Sequence, residues 1–167
     1  MRKLFAAAML FFFYSAAFSL DAAAYRRDFE EEWKEAESYA REIRPLLLAA
    51  LGDEFLADVG MAVVFPELSR YSYIRDVAET SALELFYIIS GRSNFSIGKF
   101  QMKPSFALMI ERDAHACCRL AYPELFQTGA SDKEDRILRI ARLTNHLRQV
   151  EYFAVFLRLA ALSYTKH

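Results

Sequence analysis

Ala62–Phe106 reads AVVFPELSRYSYIRDVAETSALELFYIISGRSNFSIGKFQMKPSF. An apolar run delivers a carboxylate at Glu67, and a second carboxylate, Glu79, follows on the next predicted helix. Arg92–Phe100 is too short and too polar for a helix, so it reads as an extended loop or small hairpin. Gly98 inside it permits close approach of backbone to a ligand. Pro104 then suits the first position of a new helix, with Lys103 held extended before it. The stretch therefore alternates buried helix, polar loop and helix start, and the rest of the chain reads as helices packed around it.

Upstream, Asp28 opens a helix that runs toward Arg44, with Phe29, Trp33, Ala36, Ala40 and Ile43 on one apolar face. Its acidic first turns suit the positive end of the helix dipole. Pro45 is expected to kink or divide it, and Gly52 to end the Leu46–Leu51 run. Asp53 can cap the next helix, Glu54 to about Phe65, whose apolar residues (Phe55, Leu56, Val59, Ala62, Val63) surround it enough to predict the central helix. A carboxyl at its buried end is favoured by desolvation in the neutral, proton-donating form that general acid catalysis requires. A plain ion pair between Glu67 and Arg70, at i+3, explains the same residue equally well.

A helix from about Ile74 to Ile89 follows, with Val77, Ala78, Ser81, Leu85 and Ile88 predicted inside and Gly91 as its cap. Glu79 on that helix reads either as a polar shoulder or as a second acid. Downstream, Phe106 to about Leu120 continues from Pro104, with Leu108, Met109, Ile110 and Ala114 inward, until Tyr122-Pro123 stops it. Ser131-Asp132-Lys133-Glu134 is a capping box opening a last helical region that reaches about Tyr164. Arg136, Arg139, Arg142, Arg148 and Arg158 decorate it and read as a solvated face, or alternatively as a wall for an anionic polymer.

The 167 residues fit one domain, and scarce Gly (5) and Pro (4) favour an all-α fold with a minor β hairpin or loop. Lys+Arg 21 against Asp+Glu 22 leaves a formal charge of −1, which argues against a nucleic-acid partner. His115, His146 and His167 are scattered, so no metal site is expected. Adjacent Cys117 and Cys118 are too close for an unstrained disulfide. Met1-Arg2-Lys3, the apolar Leu4–Phe18 and Ala22-Ala23-Ala24 read as a secretory signal over residues 1–24. Its apolar run of about 15 residues is shorter than the roughly 20 a membrane span needs. The expected domain is 25–167, exported to the periplasm or cell envelope, with no stable span after cleavage.

Ser96-Ile97-Gly98-Lys99-Phe100-Gln101-Met102-Lys103-Pro104-Ser105, preceded by a buried acid, resembles the Gly-x-x-Gln-x-x-Pro-Ser element of lytic transglycosylases and goose-type lysozymes. That resemblance implies a lysozyme-like helical domain that cuts the MurNAc-GlcNAc bond of a peptidoglycan glycan strand with one Glu as acid and base and no metal or organic cofactor. Glu67 matches the acid at the end of a buried helix, although Leu68 stands where the family has Ser; Glu79-Thr80 is the rival. The resemblance implies that Gln101 contacts sugar, with Ser96, Gly98 and Tyr71 beside it. The family's late Ala-Tyr-Asn element has at most a remnant in Tyr164, so the chain is expected to be C-terminally short. Another reading is a non-catalytic envelope protein binding glycan or an envelope assembly through Tyr71, Tyr73 and Phe95.

Overall fold

Helix α1 (Glu30–Leu51) and helix α2 (Glu54–Arg70) form an antiparallel hairpin whose turn is built by two residues. Gly52 takes the left-handed conformation (φ +69°) and donates its N–H to the Leu48 carbonyl at 2.8 Å. Asp53 then accepts the Leu56 N–H at 2.9 Å as the cap of α2. The antiparallel pairing is registered by Arg44–Asp58 (2.7 Å) near the turn and Trp33–Phe65 (rings 4.9 Å apart, edge-on) near the open end. In the computed structural model residues 26–70, 83–93, 95–114 and 116–164 are described, and the expected signal segment 1–24 lies outside them.

Pro45 does not divide α1. A proline removes one helical hydrogen bond, but Tyr39 and Ile43 before it and Leu47 and Leu51 after it are all buried on the same face. Packing on both sides holds the helix as one piece. Likewise α2 does not stop at Phe65 but carries Pro66 and Glu67 to Arg70, with Leu68 and Ser69 buried in its last turn.

Residues 83–90 are helical, and the turn around Gly98 leads into α3 (Pro104–Asp113). Lys103 is extended (φ −90°, ψ 145°) and Pro104 takes the first helical turn, as its fixed φ and missing N–H favour. The expected continuous helix to Leu120 breaks at Ala114, which is extended (φ −65°, ψ 132°). Helix α4 (Ala116–Ala121) follows, with Cys118 buried on it, and then a 3-10 turn, Pro123–Phe126. Arg119 on α4 reaches back to the Glu111 and Ala114 carbonyls, supplying donors that the broken helix no longer offers.

The last region is two helices, α5 (Asp132–Leu143) and α6 (His146–Tyr164). Ser131 caps α5 by accepting the Glu134 N–H. Asn145 caps α6, its side-chain oxygen accepting the Leu147 N–H at 3.0 Å and the Arg148 N–H at 3.3 Å. Helix α6, not α2, is the centre of the fold: Tyr152, Ala154 and Val155 have no exposed surface, and α1, α2, α3 and α5 all pack on it. Gly60 lets α2 approach it closely, since a Cβ there would lie 2.8 Å from Leu157 Cδ1 and 2.7 Å from Leu47 Cδ2. The chain is all-α; among the described residues the paired extended backbone is a single bridge, Ile97 to Met102. No helix among them is long and apolar enough to cross a membrane.

Candidate functional site

The Gly-x-x-Gln element forms a four-residue turn closed by two backbone bonds, Ile97 N–H to Met102 O at 2.9 Å and Met102 N–H to Ile97 O at 3.1 Å. Gln101 donates to the Gly98 carbonyl from both its backbone N–H (2.9 Å) and its side-chain amide (2.8 Å). A buried residue far along the chain holds the turn from beneath. Gln149 of α6, 1% exposed, donates to Ile97 O at 3.1 Å and to Leu143 O, and accepts the Phe100 N–H at 3.2 Å. Phe100 packs edge-on against Phe153, one turn further along α6. Lys99 caps the other side, its ammonium 3.8 Å from the centre of the Tyr39 ring on α1. Burial first, and Glu42 second, push the Tyr39 hydroxyl up to about 12.

Two left-handed backbones make this turn possible. Gly98 has φ +66°, and Gln101 has φ 48°, the one positive φ outside glycine among the described residues. A Cβ on Gly98 would lie 2.0 Å from Gln149 Nε2. That amide cannot swing aside without surrendering three hydrogen bonds in a buried site. Gly98→Ala is therefore expected to lower stability by about 2–4 kcal/mol, combining left-handed strain with an unsatisfied buried amide. Urea unfolding at constant slope checks it, and a loss below about 0.5 kcal/mol is outside the range expected.

The turn brings Ser96, Gly98 and Gln101 together; Ser96 and Gln101 are half-buried. Glu67 is also half-buried, inside the last turn of α2 rather than beyond its end. The alternative pairing with Arg70 does not form, and Glu67 has no hydrogen-bond or ion-pair partner among the described residues. No hydrogen bond or ion pair joins it to Gln101 there. The rival acid Glu79 and the expected sugar contact Tyr71 lie outside the described residues, as does Tyr73.

A second polar centre lies between α3, α5 and α6. Glu111 accepts from Arg139 Nε at 2.9 Å and Nη2 at 2.5 Å, from Arg142 Nη1 at 3.1 Å, and from the Tyr152 hydroxyl at 2.6 Å. Arg139 also donates to the Tyr87 hydroxyl at 2.8 Å, and Arg142 to the Gln127 carbonyl. Side-chain exposures are 7% for Arg139, 9% for Arg142 and 13% for Glu111, so the ions are paired away from water. Burial opposes the Arg139 charge, yet Glu111 beside it holds the guanidinium above its usual range. Burial and the Glu111 charge push the Tyr152 hydroxyl up.

Comparison of the chain with family models, curated proteins and solved structures finds no match.

The expected solvated arginine face is thus corrected. Arg139 and Arg142 are buried, Arg158 donates to the Ala50 carbonyl at 2.7 Å, Arg136 donates to the Ile88 carbonyl at 3.0 Å, and Arg148 pairs with Glu151 at 2.8 Å. Each joins separate elements or neighbouring turns instead of lining one surface. Sequence reasoning missed Glu111, Gln149 and the two buried arginines; their only signal was spacing, since Arg139 and Arg142 flank Ile140 and Leu143 on one side of α5. Among the described residues no group of three His, Cys, Asp or Glu is placed to hold a metal.

Proposed function

We propose that the protein acts on the glycan strand of peptidoglycan in the cell envelope, as a lytic transglycosylase-like enzyme that cuts the MurNAc-GlcNAc bond. The observation that carries this reading is the Gly98–Gln101 turn. Gln101 holds a left-handed backbone in it, a conformation that costs a non-glycine residue about 1–3 kcal/mol and concentrates at functional sites. The buried Gln149 amide makes the turn rigid, and rigid support is what positions a substrate contact.

In this reading Glu67 is the acid. Its half-buried carboxyl, without a described ion pair, donates a proton to the glycosidic oxygen as the bond to the sugar breaks. The substrate's N-acetyl group assists the oxocarbenium-like centre, so a second carboxylate is not required; such substrate-assisted cases are the exceptions among glycosidases. The resulting Glu67 carboxylate takes the muramic 6-hydroxyl proton as the anhydro ring closes, or activates water for hydrolysis. Glu79 stays the rival acid. Gln101 contacts the sugar, with Ser96 and Gly98 beside it and Tyr71 as a stacking surface. Export by the 1–24 signal delivers the protein to the periplasm.

Clearing of purified peptidoglycan suspensions tests the reading. Gln101→Ala is expected to clear about 3–10-fold more slowly, the worth of one lost polar contact, with an unchanged far-ultraviolet circular dichroism spectrum. Equal rates for the two proteins remove Gln101 from the site. Co-sedimentation with peptidoglycan but no clearing by the unaltered protein replaces the enzyme by a non-catalytic glycan-binding protein.

A further inference from the structure

Beside the Glu111 centre the surface carries a recess of about 70 Å³, partly open to solvent, between the end of α3, the 3-10 turn and α5. That room suits one oxyanion group rather than a whole drug-sized molecule, whose sites begin at about 300 Å³. Three arginines, Arg119, Arg139 and Arg142, line it, against two acidic residues, Glu111 and Asp135. Glu111 is already occupied by Arg139, Arg142 and Tyr152. Asp135 accepts the Gly129 N–H at 2.7 Å. The balance of the recess is therefore one positive charge, with Arg139 and Arg142 buried beneath it.

The donors are not exhausted. A guanidinium has five N–H groups. Arg139 commits one from each of its nitrogens, to Glu111 and Tyr87, and keeps one on each Nη. Arg142 commits one from each Nη, to Glu111 and the Gln127 carbonyl, and also bonds the Tyr152 hydroxyl, which leaves two of its five N–H groups. Arg119 is exposed at the rim, with its guanidinium carbon 4.7 Å from the Phe126 ring centre. Two deeply buried guanidiniums with spare donors and a third at the mouth are the chemistry that recognises a planar or tetrahedral oxyanion.

We propose that this recess is a binding site for one oxyanion group, a carboxylate or a phosphate, carried by a small ligand, with Arg142 and Arg139 at its base and Arg119 at its rim. The site is independent of the glycan reading, because it rests on none of Glu67, Gly98 or Gln101.

Titration of the folded full chain with inorganic phosphate and, separately, with acetate, at constant ionic strength held with sodium chloride, tests it by amide nuclear magnetic resonance shifts. Saturable shifts of the 3-10 turn and the start of α5 in at least one titration are expected, and the tighter of the two identifies the oxyanion chemistry. Two variants make the test specific. Arg119→Gln is expected to weaken binding at least three-fold. Asp135→Asn keeps the oxygen that accepts the Gly129 N–H but removes a negative charge, and is expected to tighten binding at least two-fold. Opposite changes in the two variants support the site. Shifts that stay linear to 10 mM for both anions, or variants that move affinity in the same direction or not at all, overturn it.

Discussion

Replacement of Glu111 by Gln is expected to cost about 3–5 kcal/mol of stability, the usual penalty for removing one partner from a buried ion pair. Glu111 is the single carboxylate shared by Arg139 and Arg142, whose side chains are 7% and 9% exposed. Gln keeps the shape, but its amide can accept through only one oxygen and turns N–H groups toward guanidinium donors. Two buried cations are then left under-compensated, and either the Arg139 fork or the Arg142 and Tyr152 donors lose their acceptor oxygen. Against a total stability of about 5–15 kcal/mol for a domain of this kind, the variant is expected to be partly unfolded at 37 °C. Pairing Glu111→Gln with Arg139→Met separates the charge from packing: the double variant is expected to lose at least 1 kcal/mol less than the two singles added together. Strict additivity in urea unfolding contradicts a shared ion network.

The second large effect is on chemistry. Glu67→Gln is expected to lower peptidoglycan cleavage by about 10²–10⁴-fold, the contribution typical of a general acid–base group. Gln fills the same volume without a transferable proton. Stability is expected to change little, because Glu67 makes no hydrogen bond or ion pair with the described residues. The two carboxylates are thus expected to separate cleanly, Glu111→Gln acting on folding and Glu67→Gln on turnover. Glu79→Gln is the companion variant, and full activity in Glu67→Gln beside a dead Glu79→Gln reverses the assignment.

Local chemistry made most helix boundaries legible. Gly52 with Asp53, Lys103 with Pro104, and Ser131 at the start of α5 each act within a few residues of themselves, so a sequence displays them directly. Asn145 caps α6 by the same chemistry, yet it sat inside an apolar repeat long enough to read as one helix. Burial was less legible than boundaries. Periodicity defines an apolar stripe but not which partner covers it: Phe55, Leu85 and Leu108 were read as inward and are 74%, 61% and 48% exposed. The opposite error fell on Arg139 and Arg142. A charged residue is buried only when a partner arrives from elsewhere, and Glu111 is 28 residues from Arg139 in the chain. The Gly98–Gln101 turn was visible as a motif, whereas its support by Gln149, 49 residues beyond Phe100, belongs to the tertiary fold.

Identification by mass of the products released from purified peptidoglycan is the most direct test of the proposed activity. Disaccharide-peptide fragments ending in an anhydromuramic or a reducing muramic residue are expected, and they are expected to disappear with Glu67→Gln while the variant stays folded. Absence of any released fragment from the folded unaltered protein, or identical fragments from Glu67→Gln at an undiminished rate, contradicts it.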